Sequence, residues 1–215
     1  MKRIGTIIAA ISALLLINSC KTKMTDMNPL LAASDNPFEA PAFDKIKNEH
    51  YKPAFEEAIK EGRAQIDSIV ANTEEPTFEN TIVAMEYAGR KLNGIASIFF
   101  NLNEAATDSV MQNLALEISP MLTDYSNDIM LNEALFARIK RVYENKASIS
   151  LNQEDSRLLE ETYKGFERNG ANLPQEAKIR FKEINKELSQ LSLQFGQNVL
   201  GAINKFFIHI TDSAQ

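Results

Sequence analysis

The chain has 215 residues, 44% of them hydrophobic and 24% charged, with a net charge of −6 and 1 cysteine. An acidic balance without clustered cations excludes a nucleic-acid binder, whose phosphate contacts need Lys and Arg gathered on one face. A lone cysteine excludes an internal disulfide, and a chain of this size can bury roughly 70% of its unfolded surface, enough for one or two helical subdomains.

Lys2 and Arg3 precede an apolar run from Ile7 to Ile17 (IIAAISALLLI). The run is shorter than the roughly 20 residues that span a bilayer, and behind its basic start it reads as a secretory signal. I-N-S-C follows, with small Ser19 before Cys20. This resembles a bacterial lipoprotein box, which implies cleavage after residue 19 and acylation of Cys20. The alternative is a free thiol that follows an apolar run. More than one acyl chain on a residue anchors it firmly, each buried CH₂ contributing roughly 0.8 kcal/mol. The expected organisation is a signal peptide over 1–19, a tether over 20–36 and a helical body over 37–215. The expected location is the bacterial cell envelope, facing the periplasm, on a membrane anchor.

After the tether, PFEAPAF is kept extended by its two prolines. Pro53 suits the first turn of a helix, behind which Phe55, Ile59, Ile66, Ile69 and Val70 share one face. Asn72, Thr73 and Pro76 end it. Thr77 is a candidate N-cap with Glu79 near the positive helix end, and Ile82, Val83, Leu92, Ile95 and Phe99 form the next stripe. A third helix should begin near Thr107–Asp108 and carry Val110, Leu114, Ile118, Leu122, Tyr125 and Ile129, with a kink or break at Pro120. Asn132 and Asn152 can cap two more helices, the second burying Leu158, Leu159, Tyr163 and Phe166 before Gly170 stops it.

Pro174 opens the longest helix. Ile184, Leu188, Leu191 and Phe195 repeat there at 4, 3, 4, the seam expected of an antiparallel pair. In the closing NKFFIHITDSAQ, Phe206, Ile208 and Ile210 alternate with Phe207, His209 and Thr211, which reads as a strand. The expected fold is all-α: a multi-helix lobe of antiparallel helices and a long helical hairpin, with one orphan C-terminal strand that needs a partner.

The residues show no active site. A zinc hydrolase most economically places two histidines one helical turn apart with a glutamate between them. This chain has only His50, among Glu49, Glu56 and Glu57, and His209, inside the expected strand. No serine sits in a G-x-S-x-G elbow, and no phosphate loop or dinucleotide fingerprint occurs. The pairs Glu56–Glu57, Glu74–Glu75 and Glu160–Glu161 are helical neighbours whose side chains diverge. No catalytic residue and no metal ligand is assigned, substrate-binding residues stay unassigned, and Cys20 is the single candidate site residue, for lipidation.

Five stretches nevertheless occur in a telling order: IKNEHYKPAFEEAI, EEPTFENTIVAMEYAGRKL, NEAATDSVMQNLALEISPMLTDYSNDIMLNEALFARIKRVYE, RLLEETYKGFERNGANLP and INKELSQLSLQFGQNVL. Together they resemble the N-terminal region of the thimet-oligopeptidase family of zinc metallopeptidases, from about Asn28 onward. The combination of PTFENT with the later F-x-R-x-G-A carries most of the specificity. The resemblance implies a two-lobed helical enzyme with a deep channel, hydrolysing short oligopeptides, in this case as a peptidyl-dipeptidase. It implies that zinc is held by an H-E-x-x-H helix in a C-terminal catalytic domain, a motif absent here, so that this chain binds none and is inactive alone. The matching region would form part of the channel wall. A non-catalytic helical peptide-binding or scaffold lipoprotein is the rival reading.

Overall fold

The computed structural model describes residues 27–209 and Thr211. The expected signal segment, Cys20 and Ile210 lie outside the described residues. His50 sets where the first long helix starts: its Nδ1 accepts from the Lys47 N–H at 3.0 Å, and Asn28 Nδ2 donates to its carbonyl at 2.8 Å. Helix α1, Asn48–Ala71, therefore begins ahead of Pro53, which lies inside it and not in its first turn as expected. The cost is one missing ladder bond close to the helix end.

Helix α1 runs through two cores. Its first half gives Tyr51, Phe55 and Ile59 to a cluster completed by α3, Arg90–Ala105, and α4, Ser109–Met130. Phe99 meets Tyr51 and Phe55 edge to face, at centroid distances of 4.9 and 5.7 Å, the arrangement that ring quadrupoles favour. Leu30, within the stretch assigned to the tether, is buried in this same cluster. Asp108 caps α4 by accepting from the Met111 N–H at 2.7 Å, and the helix continues through Pro120 without breaking.

The second half of α1 gives Ile66 and Ile69 to a separate cluster shared with three further helices. Helix α2 opens as a π-helical turn, Phe78–Val83, and continues as Ala84–Tyr87. Helices α5, Glu133–Glu144, and α6, Gln153–Arg168, are capped by Asn132 and Asn152, each accepting from a backbone N–H at 2.9 Å. The Phe136 ring stacks near Tyr163 and Phe166, with centroids 5.7 and 6.1 Å away.

The apolar stripe expected to run from Ile82 to Phe99 on one helix is divided between the two cores. Gly89, at φ 74°, breaks the helix after α2 and donates its N–H to Gln65 Oε1 at 2.8 Å. Ile82 then packs in the second core, while Leu92, Ile95 and Phe99 pack in the first.

Helix α7, Gln175–Lys205, lies antiparallel on α4: the pairs Lys182–Asp128, Asn185–Asn127, Lys186–Asp124 and Gln197–Gln112 rise along one helix as they fall along the other. The antiparallel pairing is present, but α5 and α6 lie between the two helices in sequence, so it is not the expected hairpin, and its seam is not the expected one either. Ile184, Leu188, Leu191 and Phe195 are exposed, and the row facing α4 is largely polar. The expected strand is also absent from the described residues. Phe206 is extended, at φ −81° and ψ 129°, yet no described residue pairs with it, and Phe206, Phe207 and Ile208 are exposed. An extended segment becomes a strand only when its backbone groups find partners. No helix among the described residues is long and apolar enough to cross a membrane.

Candidate interaction surface

The two histidines are far from any metal chemistry. His50 Nδ1 is committed to the Lys47 backbone, and His209 lies exposed in the terminal tail. Among the described residues no three His, Cys, Asp or Glu side chains converge on a common point. The described side chains therefore do not fit a zinc site, which requires three or four converging ligands.

The two motifs that carry most of the family resemblance are structural joints. In PTFENT, Thr77 and Asn80 form a reciprocal capping box, the Asn80 N–H donating to Thr77 Oγ1 at 3.0 Å and the Thr77 N–H to Asn80 Oδ1 at 2.8 Å. Asn80 Nδ2 also donates to the Glu75 carbonyl at 3.0 Å. Buried Arg138 secures this corner from α5. Its Nη1 donates to the carbonyls of Asn72 and Glu74 at 2.7 and 3.3 Å, and its Nη2 to Asn80 Oδ1 at 3.1 Å. Sequence reading missed Arg138. The available signal was a cation on the apolar face of an amphipathic helix, one turn from both Leu135 and Val142.

F-x-R-x-G-A is a helix stop. Gly170 takes φ 86°, and the Ala171 N–H closes back onto the Phe166 carbonyl at 3.0 Å, the long bond of a Schellman ending. Phe166 and Ala171 are buried on either side of that turn. Both motifs fix how helices join and leave chemistry to other residues.

Two concave or apolar features remain. A cleft of about 900 Å³ lies between the N-terminal segment and α3, walled by Leu30, Ile46, Gly94 and Ile98 among others. Its lining contains neither histidine nor cysteine, and its Lys91 is already paired with Glu61. The second is the outer face of α7, where Leu188, Leu191, Phe195 and Ile203 stand in solvent, Phe195 with 70% of its surface exposed.

The inner face of α7 explains why. Lys178 is almost wholly buried, with 4% of its side chain exposed, and reaches out to Glu133 Oε1 at 2.8 Å on the surface. Asn185 Nδ2 donates to the buried Asn127 Oδ1 at 2.7 Å, and Lys182 and Lys186 meet Asp128 and Asp124 at 2.9 and 3.3 Å. Asp128 also takes Arg63 from α1 at 2.8 Å, tying three helices at one carboxylate. Polar complementarity orients the helix, and the apolar row is left on the outside.

No family model matches the chain. It is similar to dipeptidyl carboxypeptidase of Escherichia coli, with 40% identity over 192 residues, or 89% of this chain and 28% of that protein. It is similar to oligopeptidase A of Escherichia coli, with 29% identity over 188 residues, or 87% and 27% of the two chains. A thimet-like oligopeptidase of Dictyostelium discoideum shares 31% over 156 residues, or 70% and 23%. The chain spans about a quarter of the length of the curated relatives it matches.

Proposed function

Because the chain belongs to the thimet-oligopeptidase family of peptidases, we propose that it is the N-terminal helical part of a zinc metallopeptidase that hydrolyses short oligopeptides. The similarity to dipeptidyl carboxypeptidase over 89% of the chain carries this reading, and it favours release of dipeptides. Zinc and the general base are assigned to polypeptide outside this region, since no three His, Cys, Asp or Glu side chains among the described residues converge as metal ligands. No step of hydrolysis is given to these residues. Their task is to form a channel wall, admitting extended peptides and excluding folded ones.

The reading includes acylation of Cys20 and a membrane anchor in a bacterial cell envelope, on the strength of IIAAISALLLI followed by I-N-S-C. Two measurements test the whole. Purified residues 20–215 and the polypeptide that continues beyond them are each given an N-blocked tetrapeptide, and products are read by mass spectrometry. Dipeptide release by the longer form alone, lost on chelation and restored by zinc, is expected. Zinc-dependent cleavage by residues 20–215, or none by the longer form, refutes the peptidase assignment. Separately, a fatty-acid label should enter the wild-type precursor and not Cys20→Ser; equal labelling of both refutes the anchor.

A further inference from the structure

We propose that the second half of α7, Leu188 to Asn204, with the Phe206–Ile208 tail, is an interior element, enclosed by the polypeptide that lies outside the matched region in the relatives. The proposal rests on the reading that this chain is part of a longer peptidase. It goes further in naming the surface that joins the two parts.

Charge marks the boundary. From Gln175 to Glu187 the helix carries Glu176, Lys178, Arg180, Lys182, Glu183, Lys186 and Glu187, whereas between Glu187 and Lys205 there is no Asp, Glu, Lys or Arg at all. Solvated helix faces are ordinarily rich in such residues. Here a helix segment with none stands exposed on its outer side, with Leu188, Leu191, Phe195, Val199 and Ile203 in a continuous row. Apolar patches beyond a few hundred Å² are rare on free surfaces and mark places that are covered.

The composition also selects the occupant. Gln190, Gln194 and Asn198 flank the apolar row and are exposed as well. Their amides need hydrogen-bond partners when covered, which hydrocarbon cannot supply. Helices that lie on membranes instead carry Lys and Arg along the polar face. A second copy of α7 would cover one stripe and leave the flanks in water, where charge is expected. Loss of charge on every side outside the α4 contact fits enclosure by a large body. The relatives supply one, since 28% or less of their length is matched here.

Single-cysteine variants test this in a Cys20→Ser background. Leu188→Cys, Phe195→Cys and Ile203→Cys are compared with the control Glu183→Cys, in residues 20–215 and in the longer polypeptide. All four should react rapidly with a maleimide in the short form. In the longer form the first three should slow by roughly tenfold or more, as thiols that react only through local opening do, while Glu183→Cys stays fast. Peptidase activity of the same variants shows that they are folded. Fast labelling of all four in an active longer form overturns the proposal and leaves the peptidase reading standing. Protection in a longer form that is inactive yet unfolds cooperatively in urea sinks the peptidase reading and keeps the interface. Concentration-dependent protection in residues 20–215 alone assigns the face to a second copy and overturns the proposal. A reading frame that stops after Gln215 overturns both.

Discussion

The phenol of Tyr125 on α4 stands directly over Gly62 of α1, so that a β-carbon at position 62 would lie 3.0 Å from Tyr125 Cζ and overlap the hydroxyl oxygen. The same hydroxyl sits 2.9 Å from where a β-carbon of Gly89 would be. Gly62 falls on α1 between the residues given to the first core, ending at Ile59, and those given to the second, starting at Ile66. One aromatic side chain is thereby received by two glycines at the waist between the cores, and burial pushes its hydroxyl pKa up from the usual tyrosine range.

Gly62→Ala sets two effects against each other. Alanine gains about 1 kcal/mol of helix propensity over glycine, but overpacking a filled site costs roughly 1–3 kcal/mol. Since Tyr125 is wedged against Gly89 as well, overpacking should win, with a net loss of about 1 kcal/mol by urea unfolding. In a Tyr125→Phe background the loss should shrink, because the overlapping oxygen is gone. Equal losses in both backgrounds would show that the hydroxyl is not the obstacle.

Arg138 is the heaviest single polar commitment in the second core. Its guanidinium serves two backbone carbonyls and Asn80 Oδ1, all in the corner between α1 and α2. Arg138→Met leaves those acceptors short of donors and should cost about 2–4 kcal/mol. Arg138→Lys should recover less than half, because one ammonium cannot span groups that a planar fork reaches together. Full recovery by lysine would mean that charge alone, and not the fork, holds the corner.

Caps and stops in this fold are legible in the sequence because they are local. Thr77, Asp108, Asn132, Asn152 and Gly170 each act within a few residues of their own position. The start of α1 is not legible in the same way, since the N-cap position holds Lys47 and a histidine ring nitrogen three residues on takes its backbone N–H, as Glu or Gln usually does. Periodicity in α7 marks Ile184, Leu188, Leu191 and Phe195 as one apolar face, but it carries no information about what that face meets, and here it is not the face that lies on α4. The alternation after Lys205 has the same limit: it describes a segment suited to pairing, and pairing is a property of two segments. Arg138 and Asn127 escaped notice because their partners are distant in sequence.

A pH-dependent contribution is expected on the exposed side of α6. Lys164 Nζ lies 2.6 Å from Glu160 Oε1, and this hydrogen bond, followed by the lysine charge, holds the Glu160 carboxyl below the usual carboxylate range. A depressed folded-state pKa stabilises above the unfolded value and is lost as pH falls through the folded one. The pair is solvated, so its share of stability is small. Its signature is the titration midpoint of the Glu160 carboxyl carbon by NMR, which should rise towards the usual range in Lys164→Met. An unmoved midpoint would remove Lys164 as the cause.

The seat of α7 on α4 depends on a buried amide pair. Asn127 Oδ1 accepts from Asn185, while Asn127 Nδ2 is buried without a partner. Asn185→Ala takes the donor from Asn127 Oδ1 as well, leaving neither end of the amide partnered by Asn185, and should cost about 1–2 kcal/mol. Replacing both residues by leucine removes the stranded groups at similar volume and should be neutral or stabilising by roughly 1 kcal/mol. If the amides are kept for register, the double leucine variant should be as stable yet less unique, with doubled NMR resonances along α7. The ion pairs at Asp124 and Asp128 are half exposed and contribute at most about 1 kcal/mol each, too little to hold the register alone. A double variant with a single set of sharp resonances would transfer the register to those ion pairs and to Lys178.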